Sequence, residues 1–243
     1  MRRLIPAAVL VVAAGCLAAD ALAVTVAIDV GHSAETPGAI SARGEGEFFF
    51  NSRLASEIEQ ALQARALSTR LGIYLDKSPS LIERSERAKG ADLLLSIHHD
   101  SVQPQYLTEW SHNGQSYRYS DLFRGFSLFV SRDNVDPAGS LRCASAVGSE
   151  LVRAGFTPSL YHAEPIQGEG RPFADEPNGV HYFDPLVVLR TAHSAALLLE
   201  AGVIVHREEE TALSKESTRK SIAKAVAAGV VFCLPVAGGR GPR

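Results

Sequence analysis

Apolar positions along the chain change period several times, and each change predicts an element. VTVAIDV (24–30) is a β-branched run leading into Gly31-His32. In residues 47–67, Phe50, Leu54, Ile58 and Leu62 recur every fourth position, which predicts a helix with one apolar stripe. Leu71, Ile73 and Leu75 alternate as in a short strand. Pro79 and SLIERSERAKGAD predict a helix with proline in its first turn and a stop at Gly90. ADLLLSIHH (91–99) and FSLFVS (126–131) read as strands, and Leu141, Ala144, Val147 and Leu151 mark a helical face. LVVLR (186–190) and AALLLEAG (195–202) read as further strands, and residues 210–233 as a final helix with Ile222, Val226 and Gly229 on one side.

Alternating strands and helices predict an α/β fold: one domain, with a twisted, mostly parallel sheet and helices on both faces. Two stretches break the rhythm, 102–124 (WSHNGQSYRYSD at its centre) and 156–185, rich in Pro, Gly, His and Glu. Both are too long for ordinary connections and read as excursions near a binding site. No repeat and no interdomain linker interrupts the chain.

The first residues stand apart. Residues 1–23 combine Arg2 and Arg3, a short apolar run and the small-residue ending Ala21-Leu22-Ala23, the pattern of a signal peptide cleaved after Ala23. The run is too short for a comfortable membrane span; an uncleaved anchor, or a lipid on Cys16, are the weaker readings. The mature chain would then be residues 24–243, exported and most simply periplasmic, without a membrane span and monomeric. Without Arg2, Arg3 and Asp20 the formal charge is −4 rather than −3, which offers no basic field to nucleic acid or anionic membranes. Cys143 and Cys233 remain; an oxidising compartment permits them to pair, but the slightly favoured reading is two small buried hydrophobes.

Chemistry concentrates at strand ends. In open α/β sheets ligands sit beyond the carboxyl ends of the strands. Three proposed strands end in loaded residues, Asp29-Val-Gly-His32, His98-His99-Asp100 and Glu200, while Glu45 and Glu47 stand near the start of the first helix. Two imidazoles and one carboxylate with an open fourth position make a His₂Glu zinc site. Alternation places Leu94, Ser96 and His98 on one strand face and turns His99 to the other. Asp29, three residues before His32, is a candidate for orienting that imidazole.

The segments IDVGHSAETPGA, Glu47 fifteen residues after His32, LLLSIHHDS and LLLEAGVIVHREEE together resemble the zinc-dependent N-acetylmuramoyl-L-alanine amidases of bacterial cell walls, over about residues 24–233. The resemblance implies one zinc ion held by His32, Glu47 and His98, with Glu200 as the catalytic carboxylate. It implies hydrolysis of the amide between N-acetylmuramic acid and L-alanine in peptidoglycan, and admits a protein activator. The rival activities are another zinc amide or peptide hydrolase of the wall, such as a carboxypeptidase, and non-catalytic peptidoglycan binding. The chain departs from the family pattern at Ser33 and Ala34, where two glycines are usual, at Thr36 for aspartate, His99 for alanine and Val203 for phenylalanine. None of these removes a ligand.

Several residues carry blander readings. His162, His181 and His193 read as polar surface, Arg84 and Arg190 as arginines bridging loops, and Glu208-Glu209-Glu210 as a helix start favoured by the macrodipole. If the second excursion covers the site until a partner removes it, Glu164, Glu169 or Asp175 would supply the blocking carboxylate; a substrate-contacting loop is the simpler expectation.

Overall fold

The computed structural model describes residues 24–234, so the expected signal peptide and Cys16 lie outside the described residues. The first apolar run becomes strand β1 (Thr25–Val30), buried from Val26 onward. Helix α1 (Glu47–Gln63) buries Phe50, Leu54, Ile58 and Leu62 as their spacing predicts. Strand β2 (Ser68–Gly72) is shorter than the alternation implied: Ile73 and Leu75 lie beyond it and are exposed. Helix α2 (Leu81–Arg87) opens with a capping box in which the N-cap Ser80 and Glu83 satisfy each other's backbone N–H, leaving Pro79 outside the first turn. Strand β3 (Leu93–Asp100) follows.

The first excursion is a hairpin, β4 (Thr108–His112) paired antiparallel with β5 (Gln115–Tyr119). Strand β6 (Ser127–Val130) is fully buried, and α3 (Pro137–Arg153) is capped by Asp136, whose carboxylate accepts from Gly139 N at 2.8 Å. The second excursion contributes two short strands to the sheet, β7 (Phe173–Asp175) and β8 (Val180–Tyr182). LVVLR is corrected: it forms one helical turn, α4 (Val187–Arg190). Strand β9 (Ala195–Val203) precedes α5 (Arg207–Leu213), whose first turn holds Glu208, Glu209 and Glu210, and α6 (Glu216–Cys233). The single helix expected over 210–233 is therefore two, separated at Ser214-Lys215.

The seven-stranded sheet runs β2-β1-β3-β9-β6-β8-β7, parallel except at β6–β9 and β7–β8. One face carries Ile28, Leu95, Ile97, Leu197 and Leu199 against the apolar sides of α1, α3 and α6. The other carries Ala27, Leu94, Ala196 and Leu198 with Val188 and Leu189 of α4. Helices thus cover both faces, as parallel strands require.

The cysteines are corrected as well. Cys143 of α3 and Cys233 of α6 form a disulfide, with Cα atoms 5.0 Å apart. Both helices are amphipathic on the side that meets the other, so packing had already brought the two sulfurs together; no sequence spacing encodes that.

Candidate metal centre and active site

β1 ends at Val30 and the chain turns sharply at Gly31-His32, where His32 takes φ 67°, a conformation costly for a side chain with a Cβ. Arg84, buried on α2, holds the turn: its guanidinium donates to Val30 O (2.6 Å), His32 O (2.7 Å), Ser78 Oγ (2.7 Å) and Asp29 Oδ1 (2.9 Å). It does bridge segments, as an arginine was expected to. Asp29 also accepts from Tyr74 and Ser96. The link from Asp29, the candidate for orienting the His32 imidazole, runs through Arg84 to the His32 backbone carbonyl.

Glu47, the first residue of α1, lies between two imidazoles. Its Oε2 is 2.9 Å from His32 Nε2 and its Oε1 is 2.9 Å from His98 Nδ1. Asn51 one turn later donates to Oε1 at 3.0 Å, and Ala39 N donates to Oε2 at 3.2 Å. Burial works against the carboxylate's charge, but hydrogen bonds and charge from His32 and His98 outweigh it and hold Glu47 far below the usual carboxylate range. Glu45, the competitor, is half-exposed and bound to Arg53.

His98 and His99 leave β3 on opposite sides. His99 is buried against Phe50, with Nδ1 2.8 Å from Asn51 Oδ1; burial foremost pushes it down to about 3, which keeps it neutral. His98 remains partly accessible beside Glu47. Close approach shapes this corner: a Cβ on Gly31 would lie 2.3 Å from His98 Cε1, and one on Gly38 would lie 2.5 Å from Glu47 Oε2.

One ligand atom from each of His32, Glu47 and His98 lies within 4.8 Å of the others, and this is the one such group found among the described residues. A group of this kind could hold one metal ion. The donor chemistry fits zinc, with two nitrogens and one carboxylate. Of the carboxylates suggested for blocking, none belongs to the group: Glu169 is paired with Arg171 and His162, and Asp175 accepts from Asn178.

Glu200 stands directly across from His98 in the β3–β9 register. Its Oε2 is shielded from solvent without a hydrogen-bond partner. Burial, then the charges of Asp100 and Glu47, raises its proton affinity well above that of an ordinary carboxyl, with Arg171 opposing. A carboxyl with this bias, next to a metal-type corner, is equipped to accept and return a proton.

Sequence and fold both match known proteins. Residues 26–231 match the family described as N-acetylmuramoyl-L-alanine amidase. The chain belongs to that family. It is a peptidoglycan amidase by class, and its fold is shared by solved catalytic domains. Ami1 from Mycobacterium smegmatis superposes with a TM-score of 0.69 at 18% identity, covering 86% of this chain and 96% of that one. The catalytic domain of CwlV from Bacillus (Paenibacillus) polymyxa var. colistinus gives 0.66 at 24% identity, covering 88% and 99%. The amidase from Clostridium difficile 630 gives 0.65 at 22%, covering 86% and 96%. No curated protein sequence matches the chain.

One buried cluster that shares a cavity with Glu200 has no signal in the sequence. His162 and His181, expected on the surface, are buried, while His193 is half-exposed beside Glu86. His162 Nδ1 lies 2.9 Å from Glu169 Oε2 and its Nε2 2.7 Å from Asp100 Oδ2. Arg171 pairs with Glu169 and packs over the Phe183 ring at 4.1 Å. The His162, Glu169 and Arg171 contacts are local to one irregular loop, which has no periodicity to announce them, and only Asp100 comes from a distant segment.

Proposed function

We propose that the protein hydrolyses the amide between the lactyl carbonyl of N-acetylmuramic acid and the L-alanine of the stem peptide, with one zinc ion held by His32, Glu47 and His98. The observation that carries this reading is the convergence of those three side chains next to Glu200. Bound there, zinc would supply Lewis acidity toward the scissile carbonyl and lower the pKa of a water. The protein's own part is positional and protonic. Arg84 fixes the His32 turn, Asn51 and Ala39 N hold Glu47, and Glu200 accepts the nucleophilic water's proton and returns it to the departing nitrogen. Amide cleavage needs that return, because an unprotonated amine leaves poorly.

Residues 24–243 form the mature chain in this reading, exported to the periplasm. The Cys143–Cys233 disulfide suits an oxidising compartment, and no helix among the described residues is long and apolar enough to cross a membrane. A protein activator belongs to the same reading: CwlD from Clostridioides difficile, solved in complex with the GerS lipoprotein, shares the fold at a TM-score of 0.61. The test is metal analysis of the purified protein with mass spectrometry of digested cell wall. Free stem peptides beginning with L-alanine are expected; stems shortened while still attached to sugar would point to a carboxypeptidase instead.

A further inference from the structure

Two cavities flank the catalytic corner, and their chemistry differs. One, of about 310 Å³, is lined by Asp100, Gln103, Tyr161, His162, Arg171 and Glu200 among others. The other, of about 180 Å³, is lined by His32 and His98 with Leu81, Val187, Val188 and Leu189. Leu186 and Leu198 line both and form the wall between them. Glu200 opens onto the first cavity alone.

This arrangement orients the substrate. If Glu200 returns its proton to the departing nitrogen, the chain attached to that nitrogen lies on Glu200's side of the wall. The methyl-bearing acyl group then lies on the apolar side, near His32 and His98.

The first cavity is also built to hydrogen-bond. Arg171 Nε, His162 Nε2, Asp100 Oδ2 and Glu200 Oε2 are all shielded from solvent without a hydrogen-bond partner. His162 is only 5% exposed; its Nε2 and Asp100 Oδ2 approach to 2.7 Å without the alignment of a hydrogen bond. Buried polar atoms are seldom left so. Every hydrogen bond of the Arg171 side chain goes through Nη1, to Glu169 and His162, which leaves the Nε edge free. Phe183 and Phe129 pack against the guanidinium and fix its plane. Donors and acceptors thus stand together, which suits peptide groups that offer both N–H and C=O. A free carboxylate would face Asp100, Glu169 and Glu200 with a single guanidinium already held by Glu169.

We propose that the cavity beside Glu200 is the subsite for the leaving stem peptide beyond its L-alanine, read through its amide groups by Arg171, His162 and Asp100. The assignment rests on the amidase reading above, and its test separates the two. kcat/KM is measured on N-acetylmuramoyl-L-alaninamide and on N-acetylmuramoyl-tripeptide, for the wild type, Arg171→Gln, Arg171→Lys and Val187→Ala. The tripeptide-to-alaninamide ratio is expected to fall about 10–100-fold in Arg171→Gln, the worth of one hydrogen bond to a charged group, and to recover partly in Arg171→Lys. An unchanged ratio in Arg171→Gln overturns the subsite, as does a length-dependent loss in Val187→Ala instead. If the wild type, loaded with zinc, cleaves neither compound, the amidase reading fails. The subsite is then judged by calorimetry with the free tripeptide: binding weakened at least about tenfold by Arg171→Gln supports it, and no binding, or equal binding, overturns it.

Discussion

His98 on β3 and Glu200 on β9 are register partners on adjacent parallel strands, so their side chains leave the same face of the sheet one strand apart. One belongs to the metal-type corner, and the other is the carboxyl proposed above to carry the proton. Because Glu200 is absent from the ligand group, Glu200→Ala is expected to keep zinc at the wild-type stoichiometry while activity on cell wall drops about 10²–10⁴-fold. Metal analysis and dye release from labelled wall measure the two separately. Loss of the metal in this variant would mean that the roles are misassigned.

That partnership was readable in the chain because strand-end chemistry and strand periodicity coincide. Apolar runs place LLLSIHH and AALLLE in the sheet, and strict alternation then separates His98 from His99. LVVLR was not readable, since a five-residue apolar run has no period that tells strand from helix. Its helical turn is closed by local bonds, Arg190 N to Leu186 O and Thr191 Oγ1 to Val187 O, and is held from outside by Asn134 Nδ2, which donates to Leu189 O. The Asp100–His162–Glu169–Arg171 cluster was hidden for a related reason. Loop residues have no periodicity, and a buried histidine there looks the same in sequence as an exposed one.

Gly31 tests how closely the backbone must approach the ligand corner. A methyl at this position would lie 2.3 Å from His98 Cε1 and 2.5 Å from Nδ1, so the imidazole must move. Gly31→Ala is expected to fold, to bind zinc about 10–100-fold more weakly in competition with a chromophoric chelator, and to regain activity as zinc is raised. Wild-type affinity in this variant would show that His98 has another position from which to bind.

His181 predicts a pH dependence of stability. It is fully buried on β8, with its ring 4.2 Å from that of Phe173. Burial foremost, with His162 and Arg171 nearby, pushes it down to about 4, against a contribution from the Arg171 carbonyl. Between 6.5 and 4 the unfolded chain takes up a proton that the folded chain refuses, so stability present above 6.5 is lost as pH falls. Urea unfolding of the wild type is expected to lose about 1–2 kcal/mol more between pH 7.5 and 4.5 than that of His181→Phe. Parallel losses would mean that other groups carry the acid limb.

The Cys143–Cys233 disulfide makes a prediction of opposite kind, about stability without chemistry. It closes a 90-residue separation between α3 and α6, so in the unfolded chain it removes a large share of conformational freedom. The same two helices also pack through Val147, Leu151, Val226 and Val230, and that contact survives reduction. They cover the sheet face that carries Leu197 and Leu199, whereas Glu200 and His98 leave the other face. Replacing both cysteines by serine is therefore expected to lower the urea midpoint by the equivalent of about 2–4 kcal/mol. kcat/KM at a temperature well below unfolding is expected to stay within about twofold of wild type, since the disulfide packs on the sheet face away from Glu200 and His98. A variant as stable as the wild type would show that helix packing alone sets the stability of this face. A large loss of kcat/KM in folded protein would show instead that strain on α3 and α6 reaches the strand ends through the sheet.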